Sequence, residues 1–202
     1  MNLPVSKLHL KENVLSEVMH GATTDAELRQ VLVYDPNVED VNVLLAGLDP
    51  SVEPFAVNNG QEAEDCLRSI LCDPRVSSVH LLGHGAPGVV RFGSDQLSSD
   101  YFIVPEEVVR TRSQSLEIYF WSCRTGSGAA GETFVQKIAE LSMANVYAST
   151  DPIGNEARGG TWELDVVREP VVKVPFSVQA RHAFRETLAI TNLSAFSVNE
   201  QA

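Results

Sequence analysis

Two side chains in this 202-residue sequence pair a nucleophile with a base: Cys123, in Trp121-Ser122-Cys123-Arg124, and His84, in Leu82-Gly83-His84-Gly85. A thiol attacks an acyl carbon only as thiolate, so it needs a nearby base and donors for the oxyanion that forms. His84 can be that base. Gly85 removes a side chain where a substrate carbonyl would approach, so its N–H and that of Cys123 can form an oxyanion hole. The run Gly126 to Gly131 precedes a helix start, whose partial positive charge favours thiolate. Singly, a cysteine at a strand end is more often a small buried hydrophobe, and a His-Gly pair more often a turn. Their joint placement at two strand ends is what points to catalysis.

That placement follows from the alternation of β-rich runs and helical patterns from Val31 onward, the signature of an α/β domain with a mostly parallel sheet. Five core strands are expected at Val31–Asp35, Val52–Val57, Val76–Leu82, Leu116–Trp121 and Asn145–Ser149. Helices are expected at Val38–Leu48, Gln61–Cys72 and Pro105–Arg112, with another through Phe134, Val135, Ile138, Ala139 and Leu141. Gly83 to Gly88 is too rich in glycine and proline to remain in a sheet and reads as a loop. Val89–Phe92 with Gln96-Leu97 reads as a small hairpin, and Thr161–Val166 after Gly159-Gly160 as an edge hairpin. In such sheets ligands gather beyond the carboxyl ends of the strands. His84 follows the third strand and Cys123 the fourth, so both emerge at one rim if those strands are neighbours. With loop exposure, a nearby histidine and a glycine-rich helix start, Cys123 is expected to be the most reactive thiol.

Fifteen Lys and Arg against twenty-seven Asp and Glu give a net charge of -12, which repels nucleic acid and anionic membrane surfaces. Three cysteines make no disulfide framework. No run is long and apolar enough for a membrane helix, and Met1 to Glu12 lacks the apolar stretch of a secretory signal. The chain is therefore expected in the cytoplasm or exported by another route. His80 reads as a packed core histidine, Cys66 and Cys72 as structural, and Asp151 before Pro152 as a turn residue. A zinc site from His80, His84 and Cys123 lacks close-spaced ligand pairs, so no metal is expected.

The strand-His-Gly and strand-Cys segments, Val79 to Gly85 and Ile118 to Arg124, resemble the caspase-like cysteine peptidases, a group that includes caspases, gingipains, legumains and separases. Much of the chain, from about Val31 to Leu164, is also similar to the bacterial DUF4347 family, a domain of unknown function found at the N-termini of large cadherin-like or calcium-binding surface proteins. The matching segments are Val33-Tyr34-Asp35, His80 to Gly88, Ser122-Cys123, Ala129 to Phe134, Ala148 to Asp151 and Gly159 to Leu164.

The resemblance implies a three-layer sandwich with strand order 2-1-3-4-5, helices on both faces, and His84 and Cys123 as the dyad. It also implies a loop after the fifth strand that lines the pocket for the residue before the cut, where Asp151 would select Arg or Lys. Trp121-Ser122-Cys123-Arg124-Thr125-Gly126 carries one residue more before its glycine than the caspase pattern, which argues against cleavage after Asp. The implied function is a cysteine peptidase needing no cofactor, acting on a peptide or protein substrate, its own polypeptide included. Arg181 and Arg185 are candidate internal sites in a stretch expected to be flexible. The rival is a non-enzymatic binding or structural module of a surface adhesin. Residues 1–24 and 168–202 read as arms flanking a domain at 25–167. Ala195-Phe196-Ser197-Val198-Asn199-Glu200 resembles the opening strand of a cadherin-like repeat, and with it a cell-surface location is implied.

Overall fold

The computed structural model describes residues 28–166 and 173–190. The predicted N-terminal arm and the cadherin-like segment Ala195–Glu200 lie outside these. In chain order the elements are β1 (Arg29–Tyr34), α1 (Val41–Ala46), β2 (Val52–Ala56), α2 (Gly60–Leu71), β3 (Val76–Leu82), β4 (His84–Ala86), β5 (Val89–Phe92) and β6 (Asp95–Gln96). A 3-10 turn at Ser99–Phe102, α3 (Glu106–Thr111), β7 (Glu117–Trp121), α4 (Gly128–Ser142), β8 (Asn145–Tyr147), a 3-10 turn at Glu156–Arg158 and α5 (Val178–Ala183) follow.

Five strands form one sheet in the order β2-β1-β3-β7-β8 with every pairing parallel. Counting only these strands, the order is the expected 2-1-3-4-5. The middle of the sheet is buried on both faces because β1, β3 and β7 are apolar at consecutive positions, as central parallel strands are, while the edge strands β2 and β8 are more exposed. Val31, Val33, Val79, Leu81, Ile118 and Phe120 pack with Ala63, Leu67 and Ile70 of α2 and Val135 and Ile138 of α4. The alternate residues Leu32, Tyr119 and Trp121 pack with Val41 and Leu44 of α1 and with Phe176 and Phe184, which flank α5. The result is a helix–sheet–helix sandwich.

Local chemistry sets the element ends. The Asn59 side chain caps α2 by accepting from the Glu62 N–H, while Glu62 accepts in return from the Asn59 amide. Pro87-Gly88, with Gly88 at φ 71°, turns β4 into β5, the Pro-Gly geometry of a type II turn. The stretch expected as a loop therefore enters a second sheet, β4-β5-β6, which is antiparallel. Glycine lets the chain leave the parallel sheet at Gly83 without ending its extended course. Asp35, 1% exposed, ties this small sheet to the end of β1 by accepting the Gly93 N–H at 2.7 Å.

Two expectations differ from what is found. Thr161–Val166 is not a hairpin; it touches its neighbours through single bridges, Thr161 to Ile153 and Val166 to Ala148. The stretch around Arg181, expected to be flexible, contains α5, and Phe184 just beyond it is fully buried. Four apolar residues, Phe176, Ala180, Phe184 and Leu188, anchor it at four-residue spacing.

His80 is a core residue of the second face. It stacks on Tyr119 at 4.7 Å, Tyr119 stacks on Tyr147 at 4.6 Å, and the Trp121 Nε1–H donates to His80 Nδ1 at 3.1 Å. Burial, assisted by the charge of Lys173, pushes the His80 pKa down to about 3. The unfolded chain binds this proton below its ordinary value near 6.5, the folded chain only near 3, so stability is lost as pH falls through that interval. Urea midpoints should decline from pH 6.5 to 4.5, above the range where Asp73 titrates, and His80→Gln should flatten that decline.

Candidate active site

β3 and β7 are adjacent, with Leu82 opposite Trp121, so the chain beyond each strand leaves the sheet at one rim. The two exits then touch. A side chain added at Gly85 would lie 2.7 Å from the Cys123 carbonyl, 2.8 Å from Ser122 Cβ and 2.8 Å from Thr125 Oγ1. Glycine is what permits main chain to meet main chain here. The buried hydroxyls of Ser122 and Thr125 hydrogen-bond at 2.6 Å and tie the cysteine loop beneath it. Arg124 adopts φ 55°, and its N–H and that of Gly126 bond the carbonyls of Asp151 and Ser149.

The N–H groups of Gly85 and Cys123 converge on one oxygen. It is the carbonyl of Leu188, at 2.9 and 3.4 Å. Upstream of it the chain pairs antiparallel with the loop after β8: Leu188 N–H donates to Ile153 O, Asn155 N–H to Glu186 O, and Gly154 faces Thr187. Downstream, Ala189 lies parallel to Gly85, and Ile190 N–H reaches Gly85 O. Leu188 is fully buried in the cluster that holds Cys123, Ile153, Trp162 and Phe184.

Cys123 is 2% exposed, so the loop exposure expected for it is not found. Its thiol donates to Ile153 O at 3.4 Å, and its sulfur accepts from Ile153 N–H at 3.1 Å. Burial raises its pKa to about 11, against the opposing pull of the Ile153 and Leu188 amides and the Arg124 charge. His84 is half-buried at the start of β4, paired with Arg91, and its Nδ1 is a buried atom without a hydrogen-bond partner. A buried ring nitrogen held this way carries the cost of an unmade hydrogen bond.

The profile of a family described as a domain of unknown function, DUF4347, matches residues 31–188. The chain belongs to this family. No curated protein matches it. In this DUF4347 chain the match runs to Leu188, whose carbonyl reaches the rim, beyond the 25–167 limits read for the domain.

The remaining sequence candidates are placed as follows. Asp151 sits on the rim, exposed, contributing its main-chain carbonyl to Arg124 N–H. Cys66 is half-buried on α2 and its pKa is raised by burial, while Cys72 is exposed at the end of that helix. Arg181 is in α5 and Arg185 is exposed beyond it. Among the described residues, no group of three or more His, Cys, Asp or Glu side chains is disposed to hold a metal ion, and no helix is long and apolar enough to cross a membrane. The residues that sequence reading missed are Ile153, Gly154 and Leu188. A weak signal existed for the last, since Thr187-Leu188-Ala189-Ile190 is a short run of strand-forming character.

Two measurements follow from this packing. Limited iodoacetamide at neutral pH should mark Cys72 first and Cys123 last, reversing the order that loop exposure implied; mass mapping decides it. Gly85→Ala forces a side chain against the Cys123 carbonyl and should lower unfolding stability by about 1–3 kcal/mol, read from urea denaturation.

Proposed function

We propose that this domain is a caspase-like cysteine endopeptidase whose nucleophile is Cys123 and whose general base and acid is His84. The observation that carries the reading is the convergence of the Gly85 and Cys123 N–H groups on a peptide carbonyl beside the thiol. Two preorganised donors aimed at one acyl oxygen are the electrostatic part of acyl transfer. The unpartnered Nδ1 of His84 supplies a group able to move the proton. No cofactor enters the reaction, and the substrate is a peptide, the domain's own polypeptide included. The position at the head of a large surface protein belongs to the same proposal.

Two residue classes contend for the position before the cut: Arg or Lys facing Asp151, or an apolar residue. The apolar class has the better support, because Asp151 is exposed while the side chain that precedes the held peptide bond is in the apolar cluster.

A second reading, a non-enzymatic module that keeps the fold for binding, is favoured by the thiol itself. It is buried, bonded to Ile153 and protonated at neutral pH.

The test is incubation of the full chain and of Cys123→Ala and His84→Ala, with intact-mass detection of fragments and a fluorogenic peptide panel. Turnover that falls at least about 1,000-fold in both variants is the expected result. Fragments that persist in Cys123→Ala, or no turnover of any kind in wild type, would leave only the binding module.

A further inference from the structure

We infer that the bond between Leu188 and Ala189 is the peptidase's own substrate, held in cis across the catalytic rim. This rests on the proposed dyad and specifies what it cuts. Three observations place the bond. The Leu188 carbonyl oxygen occupies the position between the Gly85 and Cys123 N–H groups. The residues before it, Phe184 to Leu188, run extended along Ile153–Asn155, through Leu188 N–H to Ile153 O, Asn155 N–H to Glu186 O, and the Asn155 side chain to Phe184 O at 2.8 Å. The residues after it leave along Gly85. Main-chain pairing on one side, a filled apolar pocket and an oxyanion pair together make up the way a peptidase grips an extended substrate.

The local sequence is shaped for this segment. Gly154 has φ 132°, and a side chain there would stand 2.4 Å from the Glu186 carbonyl and 2.8 Å from Thr187 Cα. Glu186 is further fixed by an ion pair with Arg158 at 2.8 Å.

In the reaction the Cys123 thiol leaves Ile153 and gives its proton to His84. The sulfur bonds to the Leu188 carbonyl carbon, and the negative charge on its oxygen is met by the two N–H groups. Collapse breaks the Leu188 C–Ala189 N bond, with the His84 proton passing to the nitrogen. A thioester and a free Ala189 amine result. Water, deprotonated by His84, then hydrolyses the thioester to the Leu188 carboxylate and the thiol. The same segment shares the buried cluster that keeps the Cys123 thiol out of water.

The full chain, incubated across pH 6 to 9, should yield a fragment that ends at Leu188 and one that begins at Ala189, both absent in Cys123→Ala. Leu188→Asp should block this cut and expose the thiol. Release from burial lowers the Cys123 pKa from about 11 toward 9.0, so alkylation of Cys123 near pH 7 should rise about 100-fold. Leu188→Ala, milder for folding, should show the same direction. Cys123-dependent fragments cut elsewhere, after Arg185 for instance, would retain the peptidase and overturn this bond. Increased alkylation with no cut at Leu188 in wild type would make the segment an inhibitory strap and overturn it as substrate. Unchanged alkylation in both Leu188 variants would overturn it in either role.

Discussion

The rim of this domain depends on how closely main chain can approach main chain where β3 and β7 end. Gly85 lies against the Cys123 carbonyl at a distance that excludes any side chain, and the same device recurs behind it. A side chain on Gly131 would stand 2.2 Å from the Gly126 carbonyl carbon, so the first turn of α4 rests directly on the cysteine loop. Thr125 is fixed between them, its carbonyl taking the Gly88 N–H and its hydroxyl bonding Ser122. Backbone packed on backbone this tightly leaves little freedom to the N–H groups of residues 85 and 123. They must find an acceptor, since a buried donor without one costs about 1–3 kcal/mol. The Leu188 carbonyl is that acceptor.

Residues 184–190 therefore serve stability and, on the proposed function, chemistry with the same contacts. Phe184 packs edge-on to Trp162 at 5.9 Å, and Leu188 closes the apolar cluster over the second face of the sheet. That closure excludes water from Cys123 and penalises its thiolate, which opposes nucleophilic attack at the very place where the oxyanion donors favour it. The two effects act on different states. Desolvation disfavours the free thiolate, whereas the donors act on charge that has moved to a carbonyl oxygen. On the proposed function, a site built in this way would hold its nucleophile protonated until its proton is drawn off.

What could be read beforehand divides along a physical line. The central strands were legible because Val31–Val33, Val79–Leu82 and Ile118–Trp121 are apolar at consecutive positions, as strands buried on both faces of a parallel sheet are, whereas their order was implied by the family resemblance alone. The placement of His84 and Cys123 just beyond two strand ends was legible because strand ends and glycines are local signals. Burial of Cys123 was not, because the groups that cover it, Ile153 and Leu188, lie 30 and 65 positions away. Nor was the packing of α5: Phe176, Ala180, Phe184 and Leu188 are a sparse helical signal in a stretch otherwise rich in charge. The stretch was expected to be flexible, yet Arg181 and Glu186 within it are half-buried, and Glu186 is ion-paired with Arg158. The exposure of Asp151 was also not legible. Its position after the fifth strand is real, but the side chain is exposed at the rim, whereas Leu188 beside it is buried in the apolar cluster.

The anchoring of this segment bears on what would follow a cut at Leu188. Everything that holds residues 173–188 lies upstream of the bond: α5 against α1, Phe176 and Phe184 in the cluster, and the pairing with Ile153 and Asn155. Downstream, the described contacts are fewer, the bridge from Ala189 to Gly85 and the 3.4 Å hydrogen bond from Ile190. Opening the bond would release the chain from Ala189 onward while the Leu188 terminus stayed in place. Its new carboxylate would then face the same two N–H groups that had held the carbonyl, and charge makes that hydrogen bond stronger. Cleavage in cis would thus leave a site closed by its own product, favouring a single turnover over repeated action on other chains.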